Sequence, residues 1–195
     1  MPLVRIDNIG NDARLALWQM TEKVDELTVP KFVDLDSIHA EFRKREMLTE
    51  YCLLKALTSR DDIVIKHLPS GKPFIDGYNI SISHTRGWAA VVLSEHCKIG
   101  VDIEYYSDRV NRVAERFIRP DEQNTDTECR LINWSAKETM YKLFSEEDLQ
   151  YFEMRLQPFD VKSKGKVVVE DLKISKSVAV SYVLNKDFVL TYAVV

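Results

Sequence analysis

Asp102 and Glu104 stand two residues apart in KIGVDIEYY (98–106), with Val101 and Ile103 in the alternate slots. Strand side chains alternate, so the two carboxylates share one face and the apolar pair the other. Like charges side by side repel and resist burial. Two readings follow: an outer strand with an acidic wet face, or a strand that offers two ligands to a cation. A third carboxylate comes from 126–144, which reads as a long helix. At about 100° per residue, Ile132, Ala136, Thr139, Met140 and Leu143 form one stripe, with Leu131, Trp134, Glu138 and Lys142 roughly opposite. Glu138 and Lys142 are four apart and therefore neighbours. They make either a surface ion pair or part of a site on a second covered face. In the latter case Glu138 completes a three-carboxylate set, and Lys142 is left to meet an anion. Hard oxygen donors favour Mg²⁺, which keeps waters and phosphate oxygens in its shell. No His or Cys cluster supports zinc.

Such a site calls for a phosphate-bearing substrate. Ser83 and His84 end a strand just before a turn, where they are presented together. A lone histidine is also an ordinary structural residue. Lys72 sits between Gly71 and Pro73 on a stiffened loop. Arg43, Lys44 and Arg45 form a basic run that is either solvated helix charge or an anion contact. Lys44 shares a face with Tyr51 and Lys55 and is the best placed of the three.

The elements that must position these groups follow from pattern. RLALWQM (14–20) reads as a strand, and a short helix is expected from Glu22 to near Pro30. A long helix is expected from Asp36 or Ser37 to Leu57, and a short strand at 63–66. The alternation of YNISISH (78–84) and the run GWAAVVLSE (87–95) predict a hairpin. KIGVDIEY is the next strand, followed by a helix over 108–117, a boundary at Pro120 and the 126–144 helix. The remainder reads as strand: YFEMRLQPF, KVVVE, SVAVSYVL and FVLTYAVV. The order is a rough structural doubling with its seam near 95–100. It predicts an α+β fold of two similar lobes related by a pseudo-twofold axis, 1–97 and 98–195, with a cleft between them.

The bulk numbers set limits. A chain of 195 residues, 45% hydrophobic and 30% charged, is an ordinary globular protein of one large domain or two small lobes. A net charge of −4 disfavours a general nucleic-acid binder. Cys52, Cys97 and Cys129 form no disulfide framework, which suits a reducing cytoplasm. The N-terminus has the pattern of neither a signal peptide nor a membrane span. A cytoplasmic protein without membrane or nucleic-acid partners is expected.

Taken together, GKP (71–73), NISISHT (79–85), GVDIE (100–104) and WSAKETMYK (134–142) resemble the motifs of the 4'-phosphopantetheinyl transferase superfamily, in its longer two-lobed, surfactin-synthetase-activating-like form. The resemblance implies that fold and Mg²⁺-dependent transfer of the phosphopantetheine arm of coenzyme A to a carrier-protein serine, releasing adenosine 3',5'-bisphosphate. It implies Mg²⁺ on Asp102, Glu104 and Glu138, with Glu138 also the base that takes the serine proton, directly or through water. It implies Lys142 on the transferred phosphate, and Ser83, His84 and Lys72 on the nucleotide half, with Lys137 a secondary contact. Residues 1–97 then form the nucleotide side and 98–195 the metal and carrier-protein side. Relatives commonly carry an arginine seven residues beyond Lys44 for the 3'-phosphate of coenzyme A; this chain has Tyr51. Lys44, Lys55, Arg45 or Arg43 compensates, or the donor lacks that phosphate, or affinity is lower.

The partner expected is an apo acyl or peptidyl carrier protein, which is acidic; Arg109, Arg112, Arg116 and Arg119 offer it a basic rim. A monomer is expected from length and doubling, the alternative being a short trimeric form. A Mg²⁺-dependent nuclease also uses clustered carboxylates, but leaves the GKP loop and SHT turn unexplained. A catalytically silent carrier-binding relative is the other alternative.

Overall fold

The structure is a computed structural model, and it describes residues 2–195. It is α+β throughout. The chain divides into two compact units, one ending at Lys98 and the other Ile99–Val195.

The first unit contains β1 (Leu3–Asn8), β2 (Arg14–Gln19), α1 (Glu41–Thr58), β3 (Lys66–His67), β4 (Pro73–Phe74), β5 (Asn79–Thr85) and β6 (Trp88–Ser94). Four strands form an antiparallel sheet in the order β1-β2-β6-β5. Leu53, Leu54 and Leu57 of α1 pack on Ala16, Ile80, Ala89, Val91 and Leu93 of the sheet. The β5–β6 hairpin closes through Arg86 and Gly87, where Gly87 takes φ +79, a conformation that suits glycine.

Several expected bounds change here. The strand β1 was not expected: its apolar Val4 (49%) and Ile6 (42%) are exposed, so its apolar pattern points the wrong way for a buried strand. The 22–30 segment holds only a 3₁₀ turn at Val24–Glu26. The long helix starts at Glu41 rather than at 36 or 37. Asp34 and Ser37 spend their side chains on a separate turn, Asp34 accepting from the Asp36 N–H at 3.1 Å and Ser37 Oγ donating to the Asp34 carbonyl at 2.7 Å. The 63–66 strand shrinks to the pairing of Lys66 and His67 with β4.

The second unit contains β7 (Ile99–Tyr105), α2 (Thr127–Leu143), β8 (Met154–Leu156), β9 (Lys164–Asp171), β10 (Lys176–Leu184) and β11 (Phe188–Val194). The sheet order is β7-β11-β10-β9-β8, all antiparallel. α2 is capped by Asp126, which accepts from the Cys129 N–H at 2.8 Å. Of its expected stripe, Ile132, Ala136, Met140 and Leu143 pack on Val167, Val169, Val180 and Val189, while Thr139 is buried and hydrogen-bonds Thr191. The helix expected at 108–117 is instead two 3₁₀ turns, Asp108–Arg112 and Ala114–Arg116, interrupted at Val113 (φ −122, ψ 4).

β7 approaches α2 closely because residue 100 is glycine. A Cβ there would collide with the Thr139 carbonyl and crowd Leu143. Gly100, Asp102 and Glu104 alternate onto the same face. The glycine therefore brings the two carboxylates against the helix that carries Glu138 and Lys142.

Candidate active site

Asp102 answers the first question of the sequence: it is not on a wet face. The residue is 3% exposed, and Val101 and Ile103 are buried as well. Both carboxylate oxygens are engaged. Lys142 Nζ donates to Oδ1 at 2.8 Å and to the Val101 carbonyl at 3.0 Å; Ser135 Oγ donates to Oδ2 at 2.8 Å. Ser135 belongs to a buried hydroxyl chain, 2.9 Å from Thr191 Oγ1, which lies 2.6 Å from Thr139 Oγ1. Thr191 is the cross-strand partner of Asp102. Lys142 thus neither pairs with Glu138 at the surface nor is left free, the two readings of the sequence, but pairs with Asp102.

Glu104 and Glu138 are each held by an aromatic donor. Trp134 Nε1 donates to Glu104 Oε1 at 3.0 Å, and Tyr151 Oη donates to Glu138 Oε1 at 2.6 Å. Trp134 and Tyr151 pack with ring centres 5.2 Å apart, and Phe117 meets Trp134 edge-on at 4.9 Å. The face of α2 opposite the core stripe is therefore covered. Burial and then the charge of Asp102 push the Glu104 carboxyl up to about 7, against the Trp134 hydrogen bond and Lys142. Burial raises Glu138 as well, opposed by the Tyr151 hydrogen bond. Burial and the bond to Glu138 raise the Tyr151 phenol, which keeps it a donor.

The donor chemistry fits a hard divalent cation: three carboxylates that feel one another's charge, with the Lys142 ammonium beside them. Among the described residues, however, no three Asp, Glu, His or Cys side chains converge as ligands around one point. The ammonium of Lys142 instead pairs directly with Asp102 at 2.8 Å.

Lys137 requires a correction. Its side chain and that of Glu122 are both 0% exposed and pair at 2.7 Å. The ammonium also donates to the Phe117 carbonyl at 2.7 Å and the Tyr151 carbonyl at 3.2 Å. An ammonium has three N–H bonds, and all three are used, so Lys137 is not a substrate contact. Burial lowers its pKa and Glu122 opposes that shift. Glu122 escaped the sequence reading. It also accepts from the backbone N–H of Arg119 at 2.7 Å and of Leu156 at 2.6 Å, tying the loop before α2 to β8. Its only sequence signal is a carboxylate two residues past Pro120, too common to single out.

The first-unit candidates lie on α1, β5 and the loop before β4. Ser83 is buried, and His84 is bracketed by carboxylates of α1: Nδ1 is 3.3 Å from Glu46 Oε1 and Nε2 is 3.7 Å from Glu50 Oε1. Burial, then Glu46, pushes Glu50 up to about 8, with Arg43 opposing. Lys44 Nζ lies 3.7 Å from Glu41 Oε1. Lys72 is half-buried in the turn where Gly71 takes φ +85. Tyr51 packs edge-on against Phe32 at 5.5 Å and its hydroxyl bonds the Ile65 backbone, so it is turned to packing. Arg109, Arg112 and Arg116 are exposed, whereas Arg119 is taken by Asp121 and the Phe152 carbonyl.

A sequence model of the family ACPS, the 4'-phosphopantetheinyl transferase superfamily, matches residues 98–193. These residues are similar to that superfamily. The matched stretch holds Asp102, Glu104, Glu138 and Lys142 together, and the match ends on β11, the strand that supplies Thr191. The chain is also 24% identical over 121 residues to the 4'-phosphopantetheinyl transferase gsp of Aneurinibacillus migulanus, covering 57% of this chain and 51% of the relative. It spans about half the length of that curated relative. Among the described residues no helix is long and apolar enough to cross a membrane.

Proposed function

We propose that the protein transfers the 4'-phosphopantetheine arm of coenzyme A to a serine of an apo acyl or peptidyl carrier protein, with Mg²⁺ as cofactor, releasing adenosine 3',5'-bisphosphate. The observation that carries this reading is the grouping of Asp102, Glu104, Glu138 and Lys142 within the half that matches the superfamily. Asp102, Glu104 and Glu138 would hold Mg²⁺, which neutralises pyrophosphate oxygens when bound.

The remaining work falls to side chains. Burial makes Glu138 a stronger base than a solvated glutamate, suited to take the serine proton directly or through a water. As the proton leaves, serine Oγ forms a bond to the β-phosphorus. The bond from that phosphorus to the bridging oxygen breaks, and its electron pair leaves with adenosine 3',5'-bisphosphate. Lys142, which donates to Asp102, would donate to the transferred phosphate as charge builds there. Ser83, His84, Lys44 and Lys72 serve the nucleotide half of the donor. Arg109, Arg112 and Arg116 offer an exposed basic surface to an acidic carrier helix, an attraction that salt should weaken. The protein works as a cytoplasmic monomer.

Mass spectrometry of an apo carrier protein incubated with coenzyme A and Mg²⁺ tests the reading. A gain of one phosphopantetheine arm, dependent on this protein, is expected. An unmodified carrier across acyl and peptidyl types would reject it.

A further inference from the structure

Two exposed aromatic side chains lie beside Glu138, and the proposed chemistry gives neither a task. Tyr141 is three residues further along α2, hence a neighbour on the helix surface, and is 40% exposed. Phe152 is 47% exposed and follows Tyr151, whose hydroxyl donates to Glu138 Oε1 at 2.6 Å. The 3₁₀ turn Tyr151–Glu153 that carries Phe152 is held at consecutive carbonyls: the buried Lys137 ammonium donates to that of Tyr151, and Arg119 to that of Phe152. Glu153 closes the turn by accepting from the Gln150 N–H at 2.8 Å. A fixed backbone therefore presents Phe152 to solvent. The surface continues into the basic segment. Phe117 meets Trp134 and Tyr151 edge-on, with ring centres 4.9 and 6.4 Å apart, and the residue before it is the exposed Arg116. Apolar side chains exposed singly are ordinary. Two aromatics beside one half-buried carboxylate, with an arginine at the edge, have the make-up of a binding surface, aromatic at its centre and charged at its rim.

We propose that Phe152 and Tyr141 form the apolar centre of the surface that receives the acceptor protein, with Arg116 on its rim. The occupant is the protein that bears the serine, because a hydroxyl within reach of Glu138 lays the surface around it over the residues that adjoin Glu138. The partner that fits carries an apolar side chain close to its serine and acidic residues further out. The inference rests on the proposed transfer, with Glu138 taking the serine proton, and asks nothing of the cation. A turn ordered before the partner arrives loses little freedom on binding.

Binding is read by calorimetry with an apo acyl and an apo peptidyl carrier protein, each with its serine replaced by alanine so that no transfer occurs. For each carrier that the wild type binds, Phe152→Ala should raise the dissociation constant about tenfold and Tyr141→Ala about fivefold. Phe152→Leu, which keeps an apolar side chain, should recover most of that loss. At about 1 M salt the loss from Arg116→Ala should fall to within about twofold, while that from Phe152→Ala persists. In transfer assays on the unaltered carriers, Phe152→Ala should raise KM for carrier by the same factor, with kcat and KM for coenzyme A within about twofold of wild type. Either alanine variant that binds carrier as the wild type does overturns the surface. So does a rise in KM for coenzyme A as large as that for carrier. An active wild type matched by active, tightly binding variants removes this surface and leaves the transfer standing. A wild type that neither binds nor modifies any carrier removes both.

Discussion

Asp102, Glu104 and Glu138 are three carboxylates in a largely covered place, and one lysine does not balance them. The consequence is visible at Glu104, whose carboxyl is pushed up to about 7 by burial and by Asp102. On the proposed mechanism the carboxylates organise charge around the pyrophosphate, while Lys142 adds to one phosphoryl oxygen late in the reaction. Steady-state transfer rates of Glu104→Ala and Lys142→Ala should therefore differ, the carboxylate variant losing at least about tenfold more. Equal, small losses would contradict that division of labour. Asp102 and Glu104 were legible because a period of two placed them on one face. Glu138 and Lys142 were legible because a helical period placed them opposite an apolar stripe. Their partners were not. Tyr151 reaches Glu138 from a 3₁₀ turn beyond the helix end, and Thr191 reaches Asp102 across a strand pair, where no local periodicity leads.

At the scale of elements, β7, α2 and the β5–β6 hairpin matched their patterns because each is regular over many residues. The 108–117 segment shows the opposite case. Val110, Ala114 and Phe117 are buried at helical spacing, yet the backbone winds as two 3₁₀ turns. Burial follows spacing, but hydrogen-bond pattern depends on what the next segment allows. That segment is anchored by Glu122 and Lys137, a pair with no exposure at all. Removing one member of a buried pair leaves the other charge stranded, which costs more than the intact pair contributes. Glu122→Gln should lower the unfolding free energy by about 3 kcal/mol in urea titrations. A loss below about 0.5 kcal/mol, the scale of a surface pair, would show that the two are not the anchor described.

For the whole molecule, the proposed function gives the first unit the choice of donor and the second the chemistry. Tyr51 is turned to packing and brings no charge to a 3'-phosphate. Coenzyme A and its 3'-dephospho form should then give kcat/KM values within about tenfold of each other. A preference for coenzyme A beyond about a hundredfold would instead assign the 3'-phosphate to Lys44, Lys55, Arg45 or Arg43. The central claim, that the second unit binds one divalent cation through Asp102, Glu104 and Glu138, is tested most directly by Mg²⁺ calorimetry across pH. Glu104 has a raised folded pKa, so it holds its proton below about 7 and the cation must displace it. In the metal-free protein this group's contribution to stability is present at low pH and lost as pH rises through about 7. Bound Mg²⁺ should offset that loss. The account predicts one Mg²⁺ per chain, affinity rising with pH across that value, proton release on binding at the acid end, and loss of binding in Asp102→Asn and Glu138→Gln. Binding that ignores pH and survives both substitutions would contradict it.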